Sequence, residues 1–441
     1  MVFDDDALIA ALDDDTAVLR ATAAPAAADL QAMLQLCASG KLRCSETTHR
    51  PGAATVAAVA AVLADGDFYA GEPIAAFAWP LLLQAGGLAE LAGGKLRLTA
   101  RGRTALGRPA AETIKHLWRR WVSGGLIDEL TRIEEIKGQR SKNVLTAVKP
   151  RRQHVAAALA LCEPGGWVRI DDLFAQMRRQ GLDPVIARSG RALWKLYLVD
   201  HEYGSLGYAG YGDWPILQGR YTLAVVFEYA ATLGLVDVAY VEPDGARDDY
   251  HGNWGADSLD RLSRYDGLRA VRLNPLGAYV LGLSKAFESP EPAVEQMLKV
   301  LPNFDVVATG TLRPADRLTL DAYATRTSDR VWTLSARSLR QALSSGENLA
   351  RLRTFLGERC GHDLPATVTT LFADVERRAR QVRDHGLVRL VEAEDAAIAA
   401  LIAGDRKAGP LCRSLGDRYL YVAPEDEAAF RRAALALGYV V

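Results

Sequence analysis

The sequence is short of the groups around which most enzymes are built. Its five cysteines, Cys37, Cys44, Cys162, Cys360 and Cys412, contain no C-x-x-C pair and no close-set framework. That excludes a disulfide scaffold and a thiolate zinc site, and it fits buried thiols in a reducing compartment. The seven histidines are scattered, so no metal site is spelled out and no cofactor is expected. Both Gly-Lys pairs, Gly40-Lys41 and Gly94-Lys95, run into leucine. A P-loop needs Ser or Thr there, to bring a hydroxyl to magnesium. The stretch from Gly207 to Gly212 misses the spacing of a dinucleotide loop, and neither G-x-S-x-G nor H-E-x-x-H occurs. No apolar run reaches about 18 residues. Asp4 to Asp6 give the N-terminus the wrong sign for a secretory leader. The expectation is a cytoplasmic, non-catalytic protein with no membrane partner.

What is present is ordinary globular material with an uneven charge. At 441 residues the chain has room for two to four domains, each with its own core. A net charge of −1 conceals an asymmetry: residues 1–40 carry seven Asp against one Arg, whereas residues 101–154 carry thirteen Lys/Arg against five acids. Any attraction for phosphate must therefore come from a local patch. The competing reading of such a run is a set of solvated helix faces.

Two stretches follow one plan. Gly87-Leu88-Ala89-Glu90-Leu91, a glycine turn and Lys95 to Arg103 form the first. Gly234 to Ala239, a polar loop and Leu268 to Gly277 form the second. Each reads as a helix closed by glycine, a strand, a loop, a second strand and a new helix, the pattern of a winged-helix hairpin. The helices before the hairpins, Ile74 to Gln84 and Tyr221 to Tyr229, are largely apolar. A groove-reading helix needs Arg, Lys, Asn or Gln there, so both are expected to be buried and base readout is not expected.

The expected fold is α+β and multidomain: an acidic, Ala/Pro-rich arm over 1–28, winged-helix regions over 29–150 and 151–288, and a mixed α/β domain over 289–441, entered at Ser289-Pro290-Glu291-Pro292. Within the first region we expect helices over 52–63, 73–86 and 109–135. Gly138 to Pro150 should form a polar linker, and the loop 243–266 a bound or mobile element. The last domain should open with a strand over 298–307.

Candidate phosphate contacts in the first region are Arg97, Arg101, Arg103, Arg119, Arg120, Arg140, Lys142, Lys149, Arg151 and Arg152. In the second, a helix over 186–199 would align Arg188, Arg191 and Lys195 on one face. Tyr203, Tyr208, Tyr211 and Trp214 lie nearby among glycines and could stack unpaired bases, or simply plug a domain junction. Asp248, Asp249 and His251 are the remaining catalytic candidates, as ligands of a divalent metal for phosphodiester hydrolysis; the competing reading is a solvated loop.

The C-terminal region resembles the helicase-associated domain of bacterial XPB/Ssl2-like proteins. The resemblance lies in Leu298 to Val307, Trp332 to Leu343, Leu352, Phe355, Leu356, Leu364 to Val368, Tyr419 to Val422 and Gly438-Tyr439. It covers about a third of the chain, with a looser likeness in the preceding winged-helix regions. It implies a DNA-associated module that cooperates with a separate helicase or nuclease in DNA processing, repair or defence. Asn303 departs from the acidic residue or glutamine expected in the opening strand, and the two motor lobes of XPB are lacking. A scaffold built of degenerate winged helices, without DNA contact, is the alternative.

Overall fold

The computed structural model describes residues 4–12, 16–141, 143–210, 214–288, 296–379, 381 and 386–441. Mixed α and β structure divides into two compact units, Met1–Leu371 and Phe372–Val441.

In the first unit, α1 (Asp5–Leu12) and β1 (Val18–Arg20) precede α2 (Ala23–Ala38), α3 (Ala53–Ala60) and α4 (Ala75–Ala85). Asp67 starts α4: its carboxylate accepts from the backbone of Ala75 and Ala76, satisfying donors that a helix N-terminus leaves free. The first hairpin follows, β2 (Ala89–Ala92) against β3 (Lys95–Leu98), then α5 (Ala100–Ala105) and α6 (Ala110–Ser123). The helix expected over 109–135 ends early because Gly124-Gly125 stops it, and a 3-10 turn takes Glu129–Arg132.

A similar order follows. It runs α7 (Val148–Ala160), β4 (Trp167–Arg169), α8 (Ile170–Arg179), the single turn α9 (Gly190–Leu193) and α10 (Arg220–Ala224). Helix α10 is continued on either side by π-helical turns, Pro215–Gly219 and Val225–Ala231. Strands β5 (Val236–Tyr240) and β6 (Leu268–Leu273) and helix α11 (Pro275–Leu281) complete it. Pro150, expected to end a linker, lies in the first turn of α7, where its missing N–H costs no helical bond.

The two hairpins are built by matching hydrogen bonds. Gly87 and Gly234 close the preceding helices in the left-handed region, at φ 66 and 75. Leu88 N–H reaches Leu83 O in one, and Leu235 N–H reaches Ala230 O in the other. Thr99 and Asn274 cap the following helices, accepting from Gly102 and Gly277, and their own N–H groups bond Leu88 O and Leu235 O. In each copy an earlier segment also meets the second hairpin strand. Strand β4 pairs with β6, and Arg43 bridges Lys95.

Both pre-hairpin helices are buried, as expected from their sequence, and they share a core that runs from Ala26 to Val280. Phe227 meets Phe68 and Tyr69 edge-on, and Arg132 lies 3.6 Å over the Phe77 ring while pairing with buried Glu228. Regions 29–150 and 151–288 are therefore joined by one core rather than standing as separate domains.

The described residues of the segment 1–28, read from sequence as a short helix or an arm, include the short helix α1 and are tied to the sheet of the first unit. Strand β1 pairs antiparallel with β5, making a sheet of order β1-β5-β6-β4, and Thr22 bonds Asp237 and Val236 O. Leu8 of α1 packs with Trp167, Ala239 and Ala270 on the face of that sheet. The loop 243–266 is likewise part of the core. Tyr250, Leu262 and Tyr265 are buried, and Asp266 ties Leu262 N–H and Ser263 to Arg220.

Beyond the predicted junction, whose residues 289–295 lie outside the described residues, β7 (Leu298–Val300) and β8 (Asp305–Ala308) replace the single strand expected over 298–307. Phe304, at φ 73, turns the chain between them. Then come α12 (Pro314–Tyr323), β9 (Ala324–Ser328), β10 (Val331–Leu334), α13 (Ala336–Ser344), α14 (Leu349–Arg359) and α15 (Ala366–Ala379), with sheet order β7-β8-β10-β9. Helix α12 packs on α2, where Gln35 bonds Thr319, so this sheet belongs to the first unit.

The second unit has β11 (Arg389–Glu392), α16 (Ala396–Gly404), β12 (Arg413–Leu415), β13 (Tyr419–Val422) and α17 (Glu427–Ala436). Its sheet order is β11-β13-β12, over a core of Ile402, Ala408, Leu420, Val422 and Phe430.

Candidate nucleic-acid interface

Helix α6 builds a basic concave surface in the first unit. Ile114, Leu117, Trp118 and Trp121 bury one side of it. The 3.6-residue period therefore turns Glu112, Lys115, His116, Arg119 and Arg120 outward. Helix α5 adds Arg101, and the turn after it adds Arg108. Two adjoining cavities, of about 640 Å3 and 600 Å3, share Glu112 and His116 as lining residues. Their charged lining is Arg101, Arg108, Lys115, Arg119 and Arg120 against Glu112 alone.

Some of the basic groups here are held by uncharged partners. Lys115 donates to Tyr279 O at 2.9 Å and sits 3.9 Å over the Tyr279 ring, both of which leave its charge intact. His116 Nε2 lies 2.8 Å from Gly86 O and 3.5 Å from Arg101 Nη1. Arg103 donates to Leu98 O, and exposed Arg97 stands opposite Glu90 across the hairpin. The surface can hold a strand of closely spaced negative charges by many contacts of modest strength.

Several sequence candidates fall elsewhere. Arg151 and Arg152 are buried, so neither can meet phosphate. Arg151 forks onto Asp128, and Arg152 pairs with buried Glu129 while donating to the carbonyls of Trp121, Gly124 and Ile127. Trp214 is 6 % exposed, meets Phe174 edge-on and donates to Asp183. It fills the interior and does not stack bases. Lys142 and Tyr211 lie outside the described residues. Lys149 is exposed on the first turn of α7.

Arg188, Arg191 and Lys195 are exposed, but not on one helix face, because α9 spans a single turn and Arg188 precedes its cap Ser189. The expected linker runs alongside them instead. Lys137 N–H bonds Tyr197 O, and Arg188 N–H bonds Val144 O. Gly138 comes so close to Lys195 O that a Cβ there would lie 1.7 Å away. Arg140 thus joins the neighbourhood of Arg188, Arg191 and Lys195. Sequence reasoning missed Trp194 and Trp254, which are 50 % and 56 % exposed. The available signal was a tryptophan with one charged or glycine neighbour, Lys195 or Gly255.

The Asp248, Asp249 and His251 constellation is not arranged for a metal. Arg220 and Arg247 hold the Asp249 carboxylate at 2.5 and 3.1 Å. Burial works to raise its pKa, yet the two guanidiniums prevail and keep it below the usual carboxylate range. His251 is exposed and edge-on to Tyr250. Among the described residues no group of three or more His, Cys, Asp or Glu is placed to hold a metal ion. All five cysteines are free and buried, as expected, and burial pushes the Cys37 thiol up to about 12 and that of Cys162 to about 11. No helix among the described residues is long and apolar enough to cross a membrane.

No known protein family and no curated protein matches this chain.

Proposed function

We propose that this chain is a DNA-binding adaptor of two winged-helix units followed by a helicase-associated region. It grips the phosphate backbone through the α5–α6 surface and works beside a separate helicase or nuclease. The winged-helix reading is supported by a hairpin set between a buried helix and a capped helix, which occurs twice, each time with an earlier segment, Arg43 in one and β4 in the other, against the second hairpin strand. The binding reading rests on one observation: five cations and a single carboxylate line the two cavities along α6.

Contact through phosphates, rather than base edges, follows from the burial of both pre-hairpin helices. Turning either into a major groove would expose Trp79, Leu82, Phe227 or Tyr229, forfeiting about 1.5–3 kcal/mol per large apolar side chain. The same burial favours the second reading, a scaffold that never touches DNA. The two readings differ in salt dependence. Each phosphate neutralised on duplex DNA contributes roughly −0.9 to the slope of log affinity against log salt, so partial use of the five cations gives a slope of about −2 to −4. A slope near zero leaves the scaffold.

A further inference from the structure

We infer that the ridge formed by Trp194 and Tyr208 is a second nucleic-acid site, and that it takes unpaired bases of a single strand. This rests on the DNA-binding reading above but uses different residues and different chemistry. Trp194 and Tyr208 flank the open end of a short hairpin in which Leu206 N–H bonds Leu196 O and Leu198 N–H bonds Gly204 O. Their rings meet edge-on at 4.8 Å with 69° between planes, and they are 50 % and 64 % exposed. Two large aromatic side chains left in water forgo burial that most such groups obtain, and each offers a π-face that any base can cover.

The ridge is ordered before a ligand arrives. Gly207 lies against the Trp194 ring so closely that a Cβ there would stand 2.3 Å from Cδ2. Tyr208 braces the same ring from its edge. Ordering the rings in advance lowers the entropy lost on binding.

Charge selects the ligand. The segments 136–152 and 184–199 contain no Asp or Glu. They are stitched together by the bridges Lys137↔Tyr197 and Leu145↔Ala187. Arg140, Arg188, Arg191 and Lys195 are therefore exposed around the ridge with no acid on either strand between them. An apolar protein partner has no use for that field, whereas a strand with a phosphate beside every base does. The second exposed pair, Tyr203 and Trp254, lies at the other end of the hairpin beside Asp200 and Glu202, a poor setting for phosphate. The ligand is thus placed at the Trp194 end.

The test measures binding of the full chain to a labelled oligothymidine, an abasic strand of equal length and charge, and a duplex. Unmodified protein should bind oligothymidine roughly five- to hundredfold more tightly than the abasic strand, since that is the yield of one stacked base. Trp194→Ala/Tyr208→Ala should remove most of that difference and leave duplex affinity within roughly twofold of the unmodified protein. Equal affinity for oligothymidine and the abasic strand, measured on unmodified protein, overturns the inference and leaves the ridge to a protein partner. Duplex binding that lacks a salt slope overturns the phosphate reading of α5–α6 instead, and the comparison of the two single strands still decides this one.

Discussion

Gly102 and Gly277 fill one and the same position in two copies of a local design. A Cβ on either would come within 2.0 Å of a backbone carbonyl, that of Leu88 in the first and Leu235 in the second. In both, that carbonyl accepts the N–H of the residue capping the next helix, Thr99 or Asn274. The glycine is required by the close approach of helix to strand, since its own N–H satisfies the cap and its φ lies outside the left-handed region.

Gly102→Ala and Gly277→Ala should each cost about 1–3 kcal/mol, because a backbone carbonyl cannot yield as a side chain does. Gly357, exposed within α14 with open space where a Cβ would go, should behave oppositely, with Gly357→Ala gaining roughly 0.5–1 kcal/mol. Urea midpoints check both. Equal shifts at Gly277 and Gly357 would refute the close-approach account.

Arg152 and the Arg119–Arg120 pair should separate stability from binding. Arg152→Ala strands buried Glu129 and should cost about 3–5 kcal/mol. Arg119→Ala/Arg120→Ala removes exposed charge, so the urea midpoint should stay within about 0.5 kcal/mol of the original. The DNA salt slope should become shallower by about 1–2. An unchanged slope removes α6 from the interface.

Asp29 gives a pH dependence of definite sign. Burial pushes its carboxyl up to about 7, against the Ala64 N–H it accepts at 2.7 Å and the charge of Arg20. The unfolded chain releases this proton near pH 4, at about the ordinary carboxylate value. Between about pH 4 and 7 the folded state therefore holds more protons, so stability falls as pH rises through that window and levels off above it. The shift corresponds to on the order of 4 kcal/mol. Asp29→Asn keeps an oxygen for Ala64 and abolishes the titration, so it should gain on the parent protein as pH rises from about 4 to 7. A pH-independent difference in urea midpoint would contradict the assignment.

Leu8 should report on α1. It is fully buried against Trp167, whose indole donates to Asp5 while Arg272 lies 4.7 Å over its ring. Leu8→Ala should cost about 2 kcal/mol or the free energy that holds α1 down, whichever is smaller. Quenching of tryptophan emission by acrylamide should rise. No change in quenching would mean that Trp167 is covered without α1.

Local pattern carried much of this fold. The alternation around Gly87 and Gly234 marked both hairpins, and the apolar runs at 74–84 and 221–229 marked buried helices. What stayed hidden depends on distant partners. Nothing in Val18-Leu19-Arg20 names Tyr240, Ala239 and Val238 as its ladder. Nothing in Arg151-Arg152 says whether carboxylates await them, and here Asp128 and Glu129 do, so one of the two Arg-Arg pairs of the run is internal. For the site, Arg101, Arg119 and Arg120 were legible as charge, while their meeting with Arg108 and Lys115 needed the turn from α5 into α6. The helix expected over 186–199 shrinks to the single turn α9, because Ile186, Arg188 and Tyr197 pair with Thr146, Val144 and Lys137 on either side of it.

Strand β1 also sets a schedule for biosynthesis. Its neighbour β5 is itself paired on the far side by β6, so the sheet cannot close until Leu273 has been translated. At about 5–20 residues per second, residues 18–20 emerge from the ribosome and wait on the order of ten to fifty seconds for their place. The aspartates around that strand give the waiting segment charge, and Asp5 afterwards accepts from Trp167 and pairs with Arg272 in the finished sheet.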